Sequence, residues 1–204
     1  MSARTLADGT AWGAAARAGR GPSLAGAMAY GALGFAAVSV LAYSLWAFRL
    51  VRGEGPLYAA IAVVYVACGG LVLSRLIPLP GAWRRFPPVF ALGFAVYAVV
   101  WCALWFGLRG KYLADLWGAA LGLAGLVWLW RRAFGVSRGF WPMLLGLLLL
   151  HSAGYYLGGE LMSRFARPTG PLLWGAAHGL GFGAGLGWVL HQVQAAWRAR
   201  TSAA

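Results

Sequence analysis

An uncharged stretch long enough to cross a bilayer constrains this chain more than any other feature of its sequence. Residues 24–48 contain no Asp, Glu, Lys or Arg. A helix needs about 20 apolar residues to cross a hydrocarbon core about 30 Å thick. The apolar region of a cleavable signal peptide is shorter, at about 7–15 residues. We therefore expect this stretch to be a retained membrane-spanning helix.

Similar apolar stretches recur along the chain, which is 61% hydrophobic and only 10% charged. A soluble domain is about 25% charged, so this composition is typical of a chain solvated by lipid. The predicted fold class is all-α, a polytopic bundle of six transmembrane helices. The spans are predicted at about residues 24–48, 55–75, 89–108, 112–130, 140–158 and 171–191.

Prolines and tails set the limits of this predicted domain. Pro78 and Pro80 should end the second span, and the Pro87-Pro88 pair should open the third, because proline cannot continue a helix. The six spans make one transmembrane domain, flanked by two tails that we expect in the cytoplasm. The predicted divisions are residues 1–23, 24–197 and 198–204.

The basic residues predict how the helices are oriented. If the loops and tails alternate between the two sides of the membrane, 11 of the 17 Lys and Arg residues fall on one side. That side should be cytoplasmic, because positively charged loops resist translocation. We therefore predict a multi-pass protein of a bacterial-type inner membrane, with both termini in the cytoplasm. We refer to the side that is predicted to be cytoplasmic as inner and to the opposite side as outer.

The remaining composition argues against several kinds of function. A net charge of +13 would suggest nucleic-acid binding in a soluble protein, but here the basic residues lie in short loops between apolar spans. We expect no nucleic-acid partner. Cys68 and Cys102 both lie inside apolar stretches, where a thiol behaves as a small buried apolar group and indicates neither a disulfide framework nor a metal site.

Four glycines recur at every fourth position of the sixth span, at Gly175, Gly179, Gly183 and Gly187. This spacing places them on one helix face, where another backbone can approach closely. Tight helix packing is one interpretation. The functional interpretation is a non-enzymatic protein that binds a partner membrane helix, in another protein or a second copy of this chain, or a lipophilic ligand along this face.

Two histidines inside the predicted spans form a second candidate site. His151 lies seven residues before the end of the fifth span, and His178 lies seven residues after the start of the sixth. Antiparallel neighbouring helices should hold both imidazoles at a similar depth. Each could hydrogen-bond a facing helix, Ser152 or Tyr155. Catalysis, proton relay and haem ligation with space provided by small neighbours are the functional alternatives.

The fourth and sixth spans resemble those of rhomboid intramembrane proteases, which also have six spans. His178, Gly181 and Gly185 match the family's His-x-x-Gly-x-x-x-Gly motif. In the fourth span Trp117 stands before Gly118, where the family has its serine nucleophile. Since an indole cannot attack a carbonyl, the resemblance implies a catalytically inactive rhomboid-like protein.

Overall fold

The computed structural model describes residues 21–201, which form six helices joined by short loops. No strand occurs in this range, so the predicted all-α six-helix class is confirmed. Most of both predicted tails, residues 1–20 and 202–204, lie outside the described residues. The helices are α1 (Leu24–Ala47), α2 (Glu54–Ser74), α3 (Ala82–Gly107), α4 (Ala114–Ala133), α5 (Phe140–Arg164) and α6 (Thr169–Thr201).

Four of these helices, α1, α2, α3 and α5, are long and apolar enough to cross a membrane. Large apolar side chains point away from the bundle: Leu33, Val99 and Leu149 are 69%, 68% and 71% exposed. Water would not favour so many exposed apolar side chains, whereas lipid does. The chain is therefore a helical protein of the membrane type.

The six helices form a closed ring in which each packs against its neighbours in sequence and α6 packs against α1. The interior holds a continuous cluster of aromatic side chains, with Phe35 of α1 in contact with Phe90 of α3 and Phe182 of α6. Ring edges meet ring faces in both contacts, the arrangement that aromatic quadrupoles favour. This cluster joins helices that are distant in sequence.

The third helix begins before the prolines that we expected to open it. It starts at Ala82 rather than Val89, and Pro87 and Pro88 lie inside it. Each proline leaves unmade the hydrogen bond to the carbonyl four residues earlier, at Trp83 and Arg84. Both of those residues are exposed at the inner end of the bundle, where solvent can satisfy the two carbonyls.

The second helix differs between its two halves. A π-helical turn, Tyr65–Gly69, interrupts it. Beyond the turn the backbone packs closely, since a Cβ added at Gly70 would lie 2.9 Å from the Cα of Pro87. Before the turn, in Glu54–Val64, no residue is buried. The outer half of α2 therefore stands away from the bundle, while the inner half is packed into it.

Candidate functional site

The four-glycine face of α6 is covered by α1. A Cβ added at Gly179 would lie 2.6 Å from the Cα of Ala36, and one at Gly187 would lie 3.1 Å from the Cα of Met28. Gly175 and Gly183 meet α1 in the same way. Of the two interpretations of this face, the contacts support tight helix packing, and they leave no room on it for the external helix or lipophilic ligand of the other. The matching helix is part of the same chain, because α1 also carries small residues at the crossing.

A second glycine row brings α5 and α6 together. A Cβ added at Gly181 would lie 2.9 Å from the Cα of Gly154, and one at Gly185 would lie 3.2 Å from the Cα of Leu147. Backbones this close leave no space between the helices for long side chains. His151 and His178 lie on the facing sides of α5 and α6, so the same approach brings their imidazoles into contact.

The two histidines and a tyrosine form a buried hydrogen-bonded group that we refer to as the imidazole cluster: His151, His178 and Tyr97. The Nε2 atoms of the two histidines are 3.3 Å apart, and His151 Nε2 lies 2.7 Å from the Tyr97 hydroxyl. The residues are 1%, 7% and 7% exposed. Each group can donate or accept, according to the tautomer. The cluster thus links α3, α5 and α6 through polar contacts.

Each imidazole retains one unused nitrogen. The Nδ1 atoms of His151 and His178 are buried and have no hydrogen-bond partner among the described residues. Tyr155 makes ring contacts with both imidazoles, at centroid distances of 6.2 and 6.0 Å. Ser152 is half-buried beside His151, whose hydrogen bonds run to Tyr97 and His178. Of the predicted partners, the structure thus shows the facing helices, and within the residues that it describes it shows no hydrogen bond from His151 to Ser152.

Sequence reasoning missed Tyr97 and the polar pair next to it. The Ser39 hydroxyl lies 2.6 Å from the hydroxyl of Tyr65, and both side chains are buried. Tyr65 sits in the π-helical turn of α2, where the altered backbone turns it towards the interior. Irregular turns of this kind occur frequently at functional sites. Isolated hydroxyls inside apolar spans are the signal that could have found them.

The geometry does not fit a haem held between the two histidines. Metal–imidazole bonds are about 2 Å long, so two nitrogens on opposite faces of a haem iron would be about 4 Å apart with the porphyrin between them. The Nε2 atoms of His151 and His178 are closer than that and are in direct contact. Within residues 21–201, no group of three or more His, Cys, Asp and Glu side chains could hold a metal ion.

The structure also separates the residues that carried the rhomboid resemblance. Trp117, in the position of the nucleophile, is 57% exposed on the outside of α4. The hydrogen-bond partner of His178 is instead His151 of α5. Because α4 packs mainly against α3 and α5 and makes little contact with α6, the two positions do not form a shared site.

A cavity of about 530 Å³ lies between the outer halves of α1, α2, α3, α5 and α6. We refer to it as the aromatic cavity. It exists because the outer half of α2 stands away from the bundle. His178 lines its deep end, and Gly53 and Glu54 line its mouth. The aromatic residues that line it are Tyr43, Trp46, Tyr58, Tyr65, Phe94, Tyr97, Trp101, Tyr155 and Trp174.

Contacts at the mouth hold the walls of the aromatic cavity together. Arg167, in the α5–α6 loop, donates a hydrogen bond of 2.8 Å to the carbonyl of Trp46, and its guanidinium lies 5.1 Å from the centre of that indole. On the opposite side, the rings of Tyr58 and Phe106 meet edge to face at 5.6 Å. The first contact ties the α5–α6 loop to α1, and the second is a ring contact between the outer half of α2 and α3.

Comparisons of this chain with models of known protein families, with curated proteins and with solved structures found no match. Its function is therefore inferred from the arrangement of its own residues. The two features that combine burial, polarity and space are the imidazole cluster and the aromatic cavity, and His178 and Tyr97 belong to both.

Proposed function

We propose that this chain is a non-enzymatic membrane protein that binds a lipophilic ligand in the aromatic cavity. The observation that carries the proposal is the cavity itself. Its volume of about 530 Å³ falls within the range of about 300–1,000 Å³ that is usual for small-molecule sites. An apolar enclosure with a few convergent polar groups is the usual composition of such sites.

The position of the cavity favours a ligand that reaches it from the membrane. One wall is the outer half of α2, whose residues Glu54–Val64 include none that is buried. The wall therefore has few contacts to break when a ligand passes, and segments with few buried contacts open at low cost. At the deep end, the hydroxyl of Tyr97 and the imidazole of His178 supply polar groups that can orient the ligand.

A ligand accounts for these features better than a partner helix does. The glycine face that best suits a helix already contacts α1, through Gly179, Gly183 and their neighbours. The aromatic cavity, by contrast, is lined by residues of five helices and has a volume of about 530 Å³, which suits a small molecule. We therefore move the proposed binding site from the glycine face to the cavity.

Filling the cavity should remove the bound ligand without unfolding the protein. Ala98 lines the cavity, whereas Ala95, nearly one turn away on the same helix, is exposed. We expect Ala98→Phe to reduce the co-purifying lipophilic compound by at least about tenfold, since a benzyl group occupies space that the ligand needs. The measurement is mass spectrometry of organic extracts from protein purified in mild detergent from its native membrane.

The matched variant Ala95→Phe should retain the compound, because its ring points into lipid rather than into the cavity. Both variants add the same atoms to the same helix, so a general effect on α3 would appear in both. The proposal fails if Ala98→Phe and Ala95→Phe carry equal amounts of every extracted compound.

We also propose that all six helices cross the membrane, with the inner side in the cytoplasm. Trp83 lies at the start of α3 and Tyr112 in the loop that follows it, and the two are 54% and 79% exposed. In a chain with both native cysteines replaced by alanine, Tyr112→Cys should react with a membrane-impermeant maleimide in intact cells. Trp83→Cys should react only after the membrane is disrupted. The reverse pattern would show that the positive loops face outwards.

A further inference from the structure

We infer that the ligand of the aromatic cavity is a hydrophobic organic cation, an inference that rests on the proposed function. The chain as a whole has 17 basic and 4 acidic residues. The side chains that line the cavity carry the opposite sign of charge. Among the described residues that line it, Glu54 is the one charged side chain, and neither Lys nor Arg is present.

The carboxylate of Glu54 stands at the mouth, where it favours a cation and disfavours an anion. Glu54 is the first residue of α2 and is exposed. Within residues 21–201 the resolved ion pair joins Glu160 and Arg164, on α5, and does not involve Glu54. Among these residues its negative charge is therefore not neutralised by a direct ion pair.

Aromatic rings supply the rest of the recognition. Half of the residues that line the cavity are aromatic, and a cation over the face of an aromatic ring is attracted by the ring quadrupole. Aromatic cages with a nearby carboxylate suit ammonium-type ions, whose charge is spread over an apolar surface. A large, delocalised cation also loses less hydration energy than a compact ion when it leaves water. These properties together define the ligand class.

An anion would find little to bind it here. Arginine is the side chain best suited to carboxylate and phosphate groups, and the described lining contains none. Arg167 lies near the mouth, but its guanidinium is directed to the carbonyl and ring of Trp46. The net charge of +13 would by itself favour anions. Selective binding of a cation would therefore have to come from the cavity rather than from the overall field.

Two ions of nearly the same size and opposite charge test the inference directly. Tetraphenylphosphonium and tetraphenylborate would each be equilibrated by dialysis with the purified full-length protein in a neutral detergent, against a detergent-only chamber. We expect tetraphenylphosphonium to bind at least about tenfold more tightly than tetraphenylborate. Ala98→Phe should abolish this binding, and Ala95→Phe should leave it unchanged.

Two pairs of variants assign the selectivity to particular groups. Glu54→Gln should weaken phosphonium binding about three- to tenfold, because it removes the charge at the mouth, while Glu160→Gln should not change it. Tyr58→Leu should weaken binding about 2- to 30-fold, the equivalent of one cation–π contact. Tyr156→Leu replaces an exposed tyrosine outside the described lining and should have no effect.

Equal or tighter binding of tetraphenylborate would overturn the inference, as would failure of both ions to bind. Unchanged phosphonium affinity in Glu54→Gln and Tyr58→Leu together would also overturn it. The proposed function is judged separately, by the lipophilic compound that Ala98→Phe loses and Ala95→Phe keeps. If the compound that Ala98→Phe loses is neutral or anionic, the proposed function would hold, but the inference of a cationic ligand would be wrong.

Discussion

Replacing Gly183 with leucine should prevent the chain from assembling into a stable bundle. A Cβ added at Gly183 would overlap the carbonyl oxygen of Gly31 and lie 2.6 Å from the Cβ of Phe35. The first is a backbone atom and the second is the Cβ of a buried aromatic side chain, so neither can move aside without a shift of α1. The leucine would therefore force α1 and α6 apart over the whole length of their contact.

The expected loss of stability is large. Overpacking a well-packed core costs about 1–3 kcal/mol and sometimes more. Here the added group meets backbone directly, and every other glycine of the row loses its contact when the helices separate. We expect a decrease of at least about 3 kcal/mol in the free energy of unfolding, measured by titration with sodium dodecyl sulfate, together with loss of the monodisperse peak in size-exclusion chromatography.

Gly159 provides a matched control for this variant. It lies in α5, and a Cβ added there meets no atom within 4 Å. Glycine is about 0.8–1 kcal/mol less favourable in a helix than alanine, and leucine ranks just below alanine. Gly159→Leu should accordingly leave stability unchanged or increase it slightly. If Gly183→Leu and Gly159→Leu behave alike, the close crossing of α1 and α6 is wrong.

Loss of His151 should produce the second large effect, since this side chain makes both hydrogen bonds of the imidazole cluster. His151→Leu would leave the Tyr97 hydroxyl and His178 Nε2 buried without their partner. An unsatisfied buried polar group costs about 1–3 kcal/mol. We expect His151→Leu to lower the free energy of unfolding by about 2–4 kcal/mol for two such groups, with some relief from rearrangement in the membrane.

A double-mutant cycle isolates the bond to Tyr97. Tyr97→Phe alone leaves His151 without its hydroxyl partner and should cost about 1 kcal/mol. In the double variant no hydroxyl remains to be satisfied, so its cost should be less than the sum of the two single costs. Strict additivity would show that the bond contributes nothing. His191→Leu, a half-buried histidine nearer the inner end of α6, should change stability by less than either single variant.

The meeting of the two histidines could be predicted from the sequence, because it depends on few quantities. His151 and His178 lie at equal distances from the connection between the two predicted antiparallel spans, and the rise per residue is fixed. The helices of the structure extend further, to Arg164 and from Thr169, yet they still bring the two side chains together. The glycines of α6 could likewise be recognised as a close-packing face. Both predictions use local geometry alone, and both describe contacts that the structure shows.

The identity of the contacting partners could not be predicted in the same way. Tyr97 reaches His151 across a separation of 54 residues, and α1 reaches the glycine row of α6 because the ring of helices closes. Neither contact produces a periodic pattern in the sequence of a single helix. Small residues on α6 fit any close helix, so the pattern predicted a partner without showing that the chain itself supplies it.

Burial also explains why hydropathy identifies some helices better than others. Helix α6 is not among the four that meet the criteria of length and composition, although its central residues are mostly buried. Its neighbours are largely protein, so it can use glycine where a lipid-facing helix needs leucine. The cavity escapes prediction for a related reason: it depends on a divergence of α2 that no apolar pattern encodes.

Because of the π-helical turn at Tyr65–Gly69, the insertion or deletion of one residue would change the width of the cavity. Such a turn accommodates one residue more than regular α-helix does, and each residue of an α-helix corresponds to a rotation of about 100°. Deleting one residue here would swing Tyr58 and Glu54 around the helix axis, away from the space that they now border. Gain or loss of that residue would offer evolution a one-step means of changing what the protein accepts.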